Sequence, residues 1–351
     1  MEYQLHTSFP ENLGKEWNAL LDESYSRVPF LRHEYLKTWW STRGGGEWPQ
    51  ETQLALVTAH QDGRLLGVAP LFHAPDHLGR PCLLLLGSIE ISDYLDFVIR
   101  PADLQSFVDG LLPFLLNANL PDWQAVDMYN LLEDSPSLSA LQKAATNLGL
   151  VFESQKLQHS PYIPLPGDWE TYLAGIDKKQ RHEIRRKIRR AESAEVSVRW
   201  YIAQDRSALE DEINALIRLM EQDLEKSAFL SQTMRDTLRE IIVCAFEENC
   251  LNLAFLEVDG NKAAAYLSFD YLNRLWVYNS GFDRAFMEYS PGWVLLGYLL
   301  QWANQNGRIA FDFMRGDEDY KYRFGAIDRF ILRATITKNG PAQGKTTAGS
   351  D

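Results

Sequence analysis

Groups able to move protons concentrate in one stretch, FDFMRGDEDYKYRFG from Phe311 to Gly325. Residues 309 to 313 are apolar except at Asp312, which reads as a buried strand ended by Arg315-Gly316. Asp312 stands between Phe311 and Phe313, so the pleat sends its carboxylate to the face opposite the two rings. Past the break, Asp317, Glu318, Asp319, Tyr320, Lys321, Tyr322 and Arg323 bring acids, cations and phenols together at a strand end, where α/β folds place their chemistry. A carboxylate raised by burial can take a proton there and a phenol can give one up. The same letters also fit a solvated helix start, with Asp317 as cap and Asp319 paired to Arg323 one turn later.

A second stretch, KKQRHEIRRKIRR from Lys178 to Arg190, sets eight Lys or Arg against one acid. Ile184, Ile188 and Ala191 form a narrow apolar stripe, so the spacing predicts a helix docked by one edge. It is open to two readings: a solvated helix that offsets an acidic chain, or an anion site for a phosphorylated or tRNA-linked substrate, since clustered guanidiniums grip phosphate bidentately. Elsewhere the chemistry is thin. The three cysteines have neither metal-knuckle nor redox spacing. Gly44-Gly45-Gly46 lacks the lysine and hydroxyl of a phosphate loop, His159-Ser160 has no acid partner nearby in sequence, and neither Gly-x-Ser-x-Gly nor a zinc-spaced His pair occurs. A serine hydrolase and a metalloenzyme are therefore not expected.

These residues need a large scaffold. The chain has 351 residues, 45% of them hydrophobic, enough for two domains of about 150 residues each. A net charge of −13 disfavours a generic nucleic-acid or anionic-membrane binder. Residues 1–9 lack a secretory pattern, no apolar run reaches the roughly 20 residues of a membrane span, and a cytoplasmic protein is expected. The pattern predicts helices, an antiparallel hairpin across Asp62-Gly63, further strands, a helix after Pro101 and a strand at 125–129. It then predicts the same order again, with a hairpin across Asp259-Gly260, a helix from Pro291, a strand at 309–313 and a last strand at 330–337. Letters echo too: Phe30-Leu31 with Phe229-Leu230, and Ala125-Val126-Asp127-Met128 with Ala310-Phe311-Asp312-Phe313. Their order indicates an internal duplication.

The motif Asp312-Phe313, Arg315-Gly316-Asp317-Glu318, Tyr320-Lys321, Phe324-Gly325 resembles the signature of GNAT-like acyltransferases of the CelD-like group, and more remotely the Fem-type aminoacyltransferases. The resemblance, which the repeated element order extends over nearly the whole chain, implies an α/β (α+β mixed-sheet) tandem GNAT-like fold with two similar halves. Residues 1–158 would form the first half, 159–338 the acyltransferase half with a basic helix at 178–194, and 339–351 a disordered tail. It implies an acyl-CoA such as acetyl-CoA as co-substrate and no metal. It assigns oxyanion stabilisation to Lys321, with Tyr320 protonating the leaving group and Asp312, Asp317 or Glu318 accepting the amine proton. It places Tyr278, Ser290 and Gly292 at the donor, with Ser290 as cap and Pro291 opening the helix. Arg181, Arg185, Arg315 and Asp93 would bind substrate; Arg181-x-x-Ile184-Arg185 resembles a Fem-type spacing, and Ser92-Asp93-Tyr94 a recurring family feature. The usual glycine-rich phosphate loop is missing, with Arg284-Ala285-Phe286-Met287 in its place. The implied reaction moves an acyl group to an amine or hydroxyl of a cell-envelope or polysaccharide-related precursor, carbohydrate or peptide. Aminoacyl transfer from charged tRNA is the enzymatic alternative, and a non-catalytic scaffold in exopolysaccharide biosynthesis the alternative of another class.

Overall fold

The computed structural model describes residues 1–76 and 78–338; the tail expected to be disordered lies outside the described residues. The chain runs β1 (Glu2–His6), α1 (Gly14–Asp22), α2 (His33–Gly46), β2 (Gln53–Leu54), β3 (Leu56–Gln61), β4 (Arg64–Ala69), β5 (Leu71–Pro75), β6 (Pro81–Leu85), β7 (Val98–Ile99), α3 (Leu104–Asn117), β8 (Ala125–Leu132), α4 (Pro136–Asn147) and β9 (Val151–His159). It continues through β10 (Tyr162–Pro164), α5 (Trp169–Gly175), α6 (Lys178–Glu192), β11 (Val198–Ile202), α7 (Leu209–Met220), α8 (Leu224–Phe229), α9 (Gln232–Glu247), β12 (Leu251–Val258), β13 (Asn261–Tyr271) and β14 (Arg274–Phe282). The last elements are α10 (Pro291–Gln305), β15 (Ala310–Asp312), α11 (Asp319–Arg323) and β16 (Phe330–Thr337).

The second lobe holds one sheet in the order β10-β15-β14-β13-β12-β11. The first lobe follows the same plan with a break. Pro70, which has no N–H for a ladder, interrupts between β4 and β5 what is one 11-residue strand, β13, in the second lobe. Two sheets result, β1-β3-β4-β7 and β2-β5-β6-β8-β16-β9. Both expected hairpins form, and Asp62-Gly63 and Asp259-Gly260 all take positive φ, as a tight turn between right-twisted strands requires.

The last strand does not stay with the second lobe. β16 slots antiparallel between β8 and β9 of the first. The reason lies in edge lengths: β15 has three residues, its outer edge already taken by β10, whereas β8 offers eight. The lobes also share a core. Helices α2 and α9, each preceded by an echoing Phe-Leu pair, pack on each other, and Phe30 meets Phe269 edge to face at 5.4 Å. Each such ring contributes about 1.5–3 kcal/mol by leaving water. On the other face of the second sheet, α10 buries Leu295 and Leu299 with Leu256, Ala264 and Phe311.

Candidate active site

The second-lobe sheet forks. β14 and β15 run parallel through three pairs only, Arg274 with Ala310, Leu275 with Phe311, and Trp276 with Asp312. There β15 ends, because Met314 adopts φ 61° and Gly316 φ 105° and the chain turns away; the Asp312 carboxylate accepts the Met314 amide at 3.0 Å and fixes that turn. β14 continues to Phe282 on β13 alone, with a bulge that sets Leu267 and Ser268 against Asn279 and Val277. The strands part, and a cavity lies on each face of the gap. One, of about 160 Å³, faces the first lobe and is lined by Asp93, Met234, Leu238, Tyr278, Asn279 and Met314 among others. The other, also of about 160 Å³, lies under α10 and is lined by Tyr266, Ser280, Phe282, Gly292, Trp293 and Tyr320.

Lys321 sits between them, 2% exposed. Its ammonium donates to the carbonyls of Arg315 at 2.7 Å and Gly316 at 3.1 Å, and pairs with Glu318 at 2.8 Å. Two of its three N–H bonds go to carbonyls of the loop that ends the fork, and its charge is paired with Glu318 on the same loop. Tyr320 lines the α10-side cavity, with no hydrogen bond from its hydroxyl among the described residues. Burial, then Tyr266 and Glu318, push its phenol well above the usual range, so it stays protonated at neutral pH. Asp312 points away from Phe311 and Phe313, as its place in the strand requires. It is fully buried, bonded by Tyr94 at 2.6 Å and ion-paired with Arg329. Burial, the largest influence, works against the Arg329 charge, but Asp312 and Tyr94 together outweigh it and raise the guanidinium's pKa. Asp312 is thus closed off by partners. Asp317 is exposed on the loop, and the Asp319–Arg323 pair forms as the helix-start reading expects, at 3.3 Å.

Of the three residues assigned to the donor, Gly292 alone lines the α10-side cavity. Ser290 takes φ 51° and its hydroxyl makes no cap bond, contrary to expectation, since the preceding 3-10 turn enters α10 left-handed. Pro291 still opens the helix, leaving the Gly292 and Trp293 amides as first-turn donors that the helix cannot satisfy itself. A β-carbon on Gly292 would meet only Phe282, at 3.7 Å, so backbone there is open to a ligand. These donors fit a phosphate group. Tyr278 lies on the opposite face, its hydroxyl donating to the Ile91 carbonyl at 3.0 Å.

Helix α6 docks by its predicted stripe. Ile184 and Ala191 are buried, and Ile188 lies against Gly297 of α10, where a β-carbon would come within 3.0 Å. Arg181 and Arg185 face α5, bonded to the Leu173 and Ala174 carbonyls and to Glu170, away from both cavities. Lys187 instead lies over Trp293 of the cavity wall, 4.4 Å from the centre of its ring. A further cation, Lys226 of α8, is half-buried and donates to the Ser280 carbonyl on the cavity wall at 2.5 Å. Burial lowers its pKa, Asp223 and Glu318 offset this, and the like charge of Lys321 lowers it further. No motif marks Lys226 in the sequence; Lys187 lies in the basic stretch 178–190, where the resemblance pointed instead to Arg181 and Arg185.

On the first-lobe side, Asp93 is buried and lies 2.5 Å from Arg315 Nε, while the Arg315 Nη groups donate to Ile89 (3.0 Å) and Glu90 carbonyls. Burial raises the Asp93 carboxyl, with Arg315 opposing. Glu47 accepts the amides of Ile89 at 2.8 Å and Glu90 at 3.2 Å, and burial pushes it up to about 7 against those bonds. In the first-lobe sheet Asp76, Cys82 and Asp127 converge, but Arg80 and Arg333 hold the carboxylates.

The comparisons bear on the fold of this forked mixed sheet. Residues 178–322 match the model of the acetyltransferase (GNAT) domain. FemX is similar in fold over 95% of this chain and 97% of that chain, with 12% identity and a TM-score of 0.65. A conserved protein of unknown function from Bacteroides thetaiotaomicron VPI-5482 is similar over 96% and 100%, with 12% identity and TM-score 0.61. L-PGS from Bacillus licheniformis is similar over 93% of each chain, with 14% identity and TM-score 0.54. No curated protein matches the sequence. The chain has the tandem GNAT-like fold and carries a GNAT-type domain; the CelD-like membership expected from the sequence is not established by these matches. Among the described residues no helix is long and apolar enough to cross a membrane.

Proposed function

We propose that this chain transfers an acyl group from a thioester, an acyl-CoA, to an amine by direct attack, with the donor under α10 and the acceptor in the cavity facing the first lobe. The observation that carries this is the parting of β14 from β15 after Trp276 and Asp312 with a cavity on each face, which lets two substrates meet through the sheet. The thioester supplies the activated acyl carbon. The Gly292 and Trp293 amides and Lys187 hold the donor's phosphates. Asp93, raised by burial, accepts the amine proton. Lys226, with one of its three N–H bonds in use, turns another toward the oxyanion. Lys321 positions the loop rather than meeting the oxyanion directly, and Tyr320 protonates the leaving sulfur. The polysaccharide-related acceptor has only the CelD-like resemblance behind it.

Saturating acetyl-CoA should raise the melting temperature, and added amine should release free thiol. The absence of a shift with acetyl-, propionyl- and hexanoyl-CoA alike would overturn the thioester donor. In a second reading the donor is aminoacyl-tRNA, favoured by Lys187 of the basic helix α6 against Trp293 of the donor cavity and by the likeness in fold to FemX. Transfer from charged tRNA with no response to acyl-CoA would select it.

A further inference from the structure

We infer that the cavity facing the first lobe takes a primary amine on a compact apolar body, aliphatic or aromatic, and turns away polyhydroxylated amines. This rests on the reading of that cavity as the acceptor side. One side of it is apolar and adaptable, formed by Met220 from α7, Phe229 from α8, Met234, Leu238 and Ile241 from α9, and Met314 from the turn after β15; the other side carries Glu90, Asp93, Asn279 and Arg315. Thioether side chains mould to varied apolar shapes. Most polar groups in the lining already have partners. The Thr237 hydroxyl donates to the Thr233 carbonyl at 2.9 Å, the Tyr278 hydroxyl to the Ile91 carbonyl, and the Asn279 carbonyl accepts the Ser280 amide at 2.8 Å. Arg315 is held by Asp93 and two carbonyls.

One buried polar atom remains. Asp93 Oδ1 touches Arg315 Nε but is not aligned to accept a hydrogen bond from it, and no other group bonds it. Asp93 is 4% exposed and lines the cavity, so an entering N–H that shifts Arg315 aside would find an acceptor without another hydrogen bond. Glu90 also stands in the lining, so Asp93 and Glu90 offer carboxylates to an entering ammonium ion, against the Arg315 and Lys321 charges that act on Asp93. A sugar amine would set its hydroxyls against methionine, leucine and phenylalanine, and each hydroxyl left unpaired weakens binding by about tenfold.

The test is binding to the full chain without any acyl donor. Phenethylamine and hexylamine should raise the melting temperature and give measurable heats by calorimetry, while glucosamine at equal concentration should do neither. Asp93→Asn, which keeps the shape, should weaken amine binding by about tenfold or more. Leu238→Trp should fill the cavity and abolish the amine-induced shift, with circular dichroism reporting the fold. Tighter binding of glucosamine than of the apolar amines, or amine binding unchanged in both variants, would overturn the inference. Apolar amines that bind but accept no acyl group from any thioester would uphold this site and sink the transfer reading. Transfer to hydroxylated amines alone would uphold the reaction and overturn the site.

Discussion

The two lobes lay equivalent strands side by side and use them differently. β6 pairs in parallel with β8 at Cys82–Ala125, Leu83–Val126 and Leu84–Asp127, as β14 pairs with β15. In both, the third pair carries a fully buried aspartate, Asp127 or Asp312, and an arginine from the end of the chain holds it, Arg333 or Arg329. Beyond that third pair the copies diverge. β14 runs on and opens a gap, whereas β6 stops at Leu85 and the chain folds in beside β8, burying Ile91, Tyr94 and Leu95. Asn130 of β8 ties that segment down through the Ile89 and Ser92 carbonyls, both at 2.8 Å. The loop then reaches across, Tyr94 to Asp312 and Asp93 to Arg315. A duplicated fork thus becomes a plug in one copy and a site in the other. The aspartate common to both is a structural anchor, and the groups proposed to react are those the copies do not share.

The comparison breaks most sharply at the anchors. Asp127→Asn and Asp312→Asn should each cost about 3–5 kcal/mol in urea unfolding, because a buried guanidinium loses its counter-charge. Only Asp312→Asn should also lower kcat in the folded fraction, and equal kcat losses would mean the first-lobe fork is no mere plug. Next, Lys226→Met should lower kcat by about 10²–10³-fold with little change in melting temperature. Lys321→Met should instead lower the melting temperature, since it strands the Arg315 and Gly316 carbonyls and Glu318. The opposite pattern would return the oxyanion role to Lys321. A smaller effect concerns the plug. Glu47 has a folded pKa near 7, above its unfolded value, so its contribution is fully present below about pH 4.5 and lost as pH rises through 7. Glu47→Gln should remove about 2–3 kcal/mol of that pH dependence, read from melting temperatures between pH 4 and 8. Smallest, Lys187→Gln should raise KM for a phosphate-bearing donor a few-fold, while Arg181→Gln with Arg185→Gln should leave it unchanged.

Much of this fold was legible because it rests on local rules. The Asp-Gly turns fixed two hairpins, the Ile184–Ile188–Ala191 stripe fixed how α6 docks, and strand alternation gave the direction of Asp312. The site was less legible. The acceptors that occupy Lys321 are largely backbone carbonyls of a turn, and backbone leaves no letter in a sequence. Asp312 looked free to act as a base because Arg329 and Tyr94 reach it from a later segment and from the other lobe. Lys226 stands in a short helix whose pattern says only that it is half-exposed. The destination of β16 was hidden because an alternating strand names its buried face and not its neighbours.

The threading of β16 bears on how the molecule is made. The first lobe's sheet stays open between β8 and β9 until the final residues of the fold arrive, so synthesis delivers its two flanks long before the piece that joins them. The first lobe cannot reach its finished sheet order without that late strand, whereas β10 to β15 of the second lobe come from one contiguous segment, and proteolysis near residue 330 should open the first lobe's sheet. A single cooperative melting transition is the thermodynamic signature of that stitch.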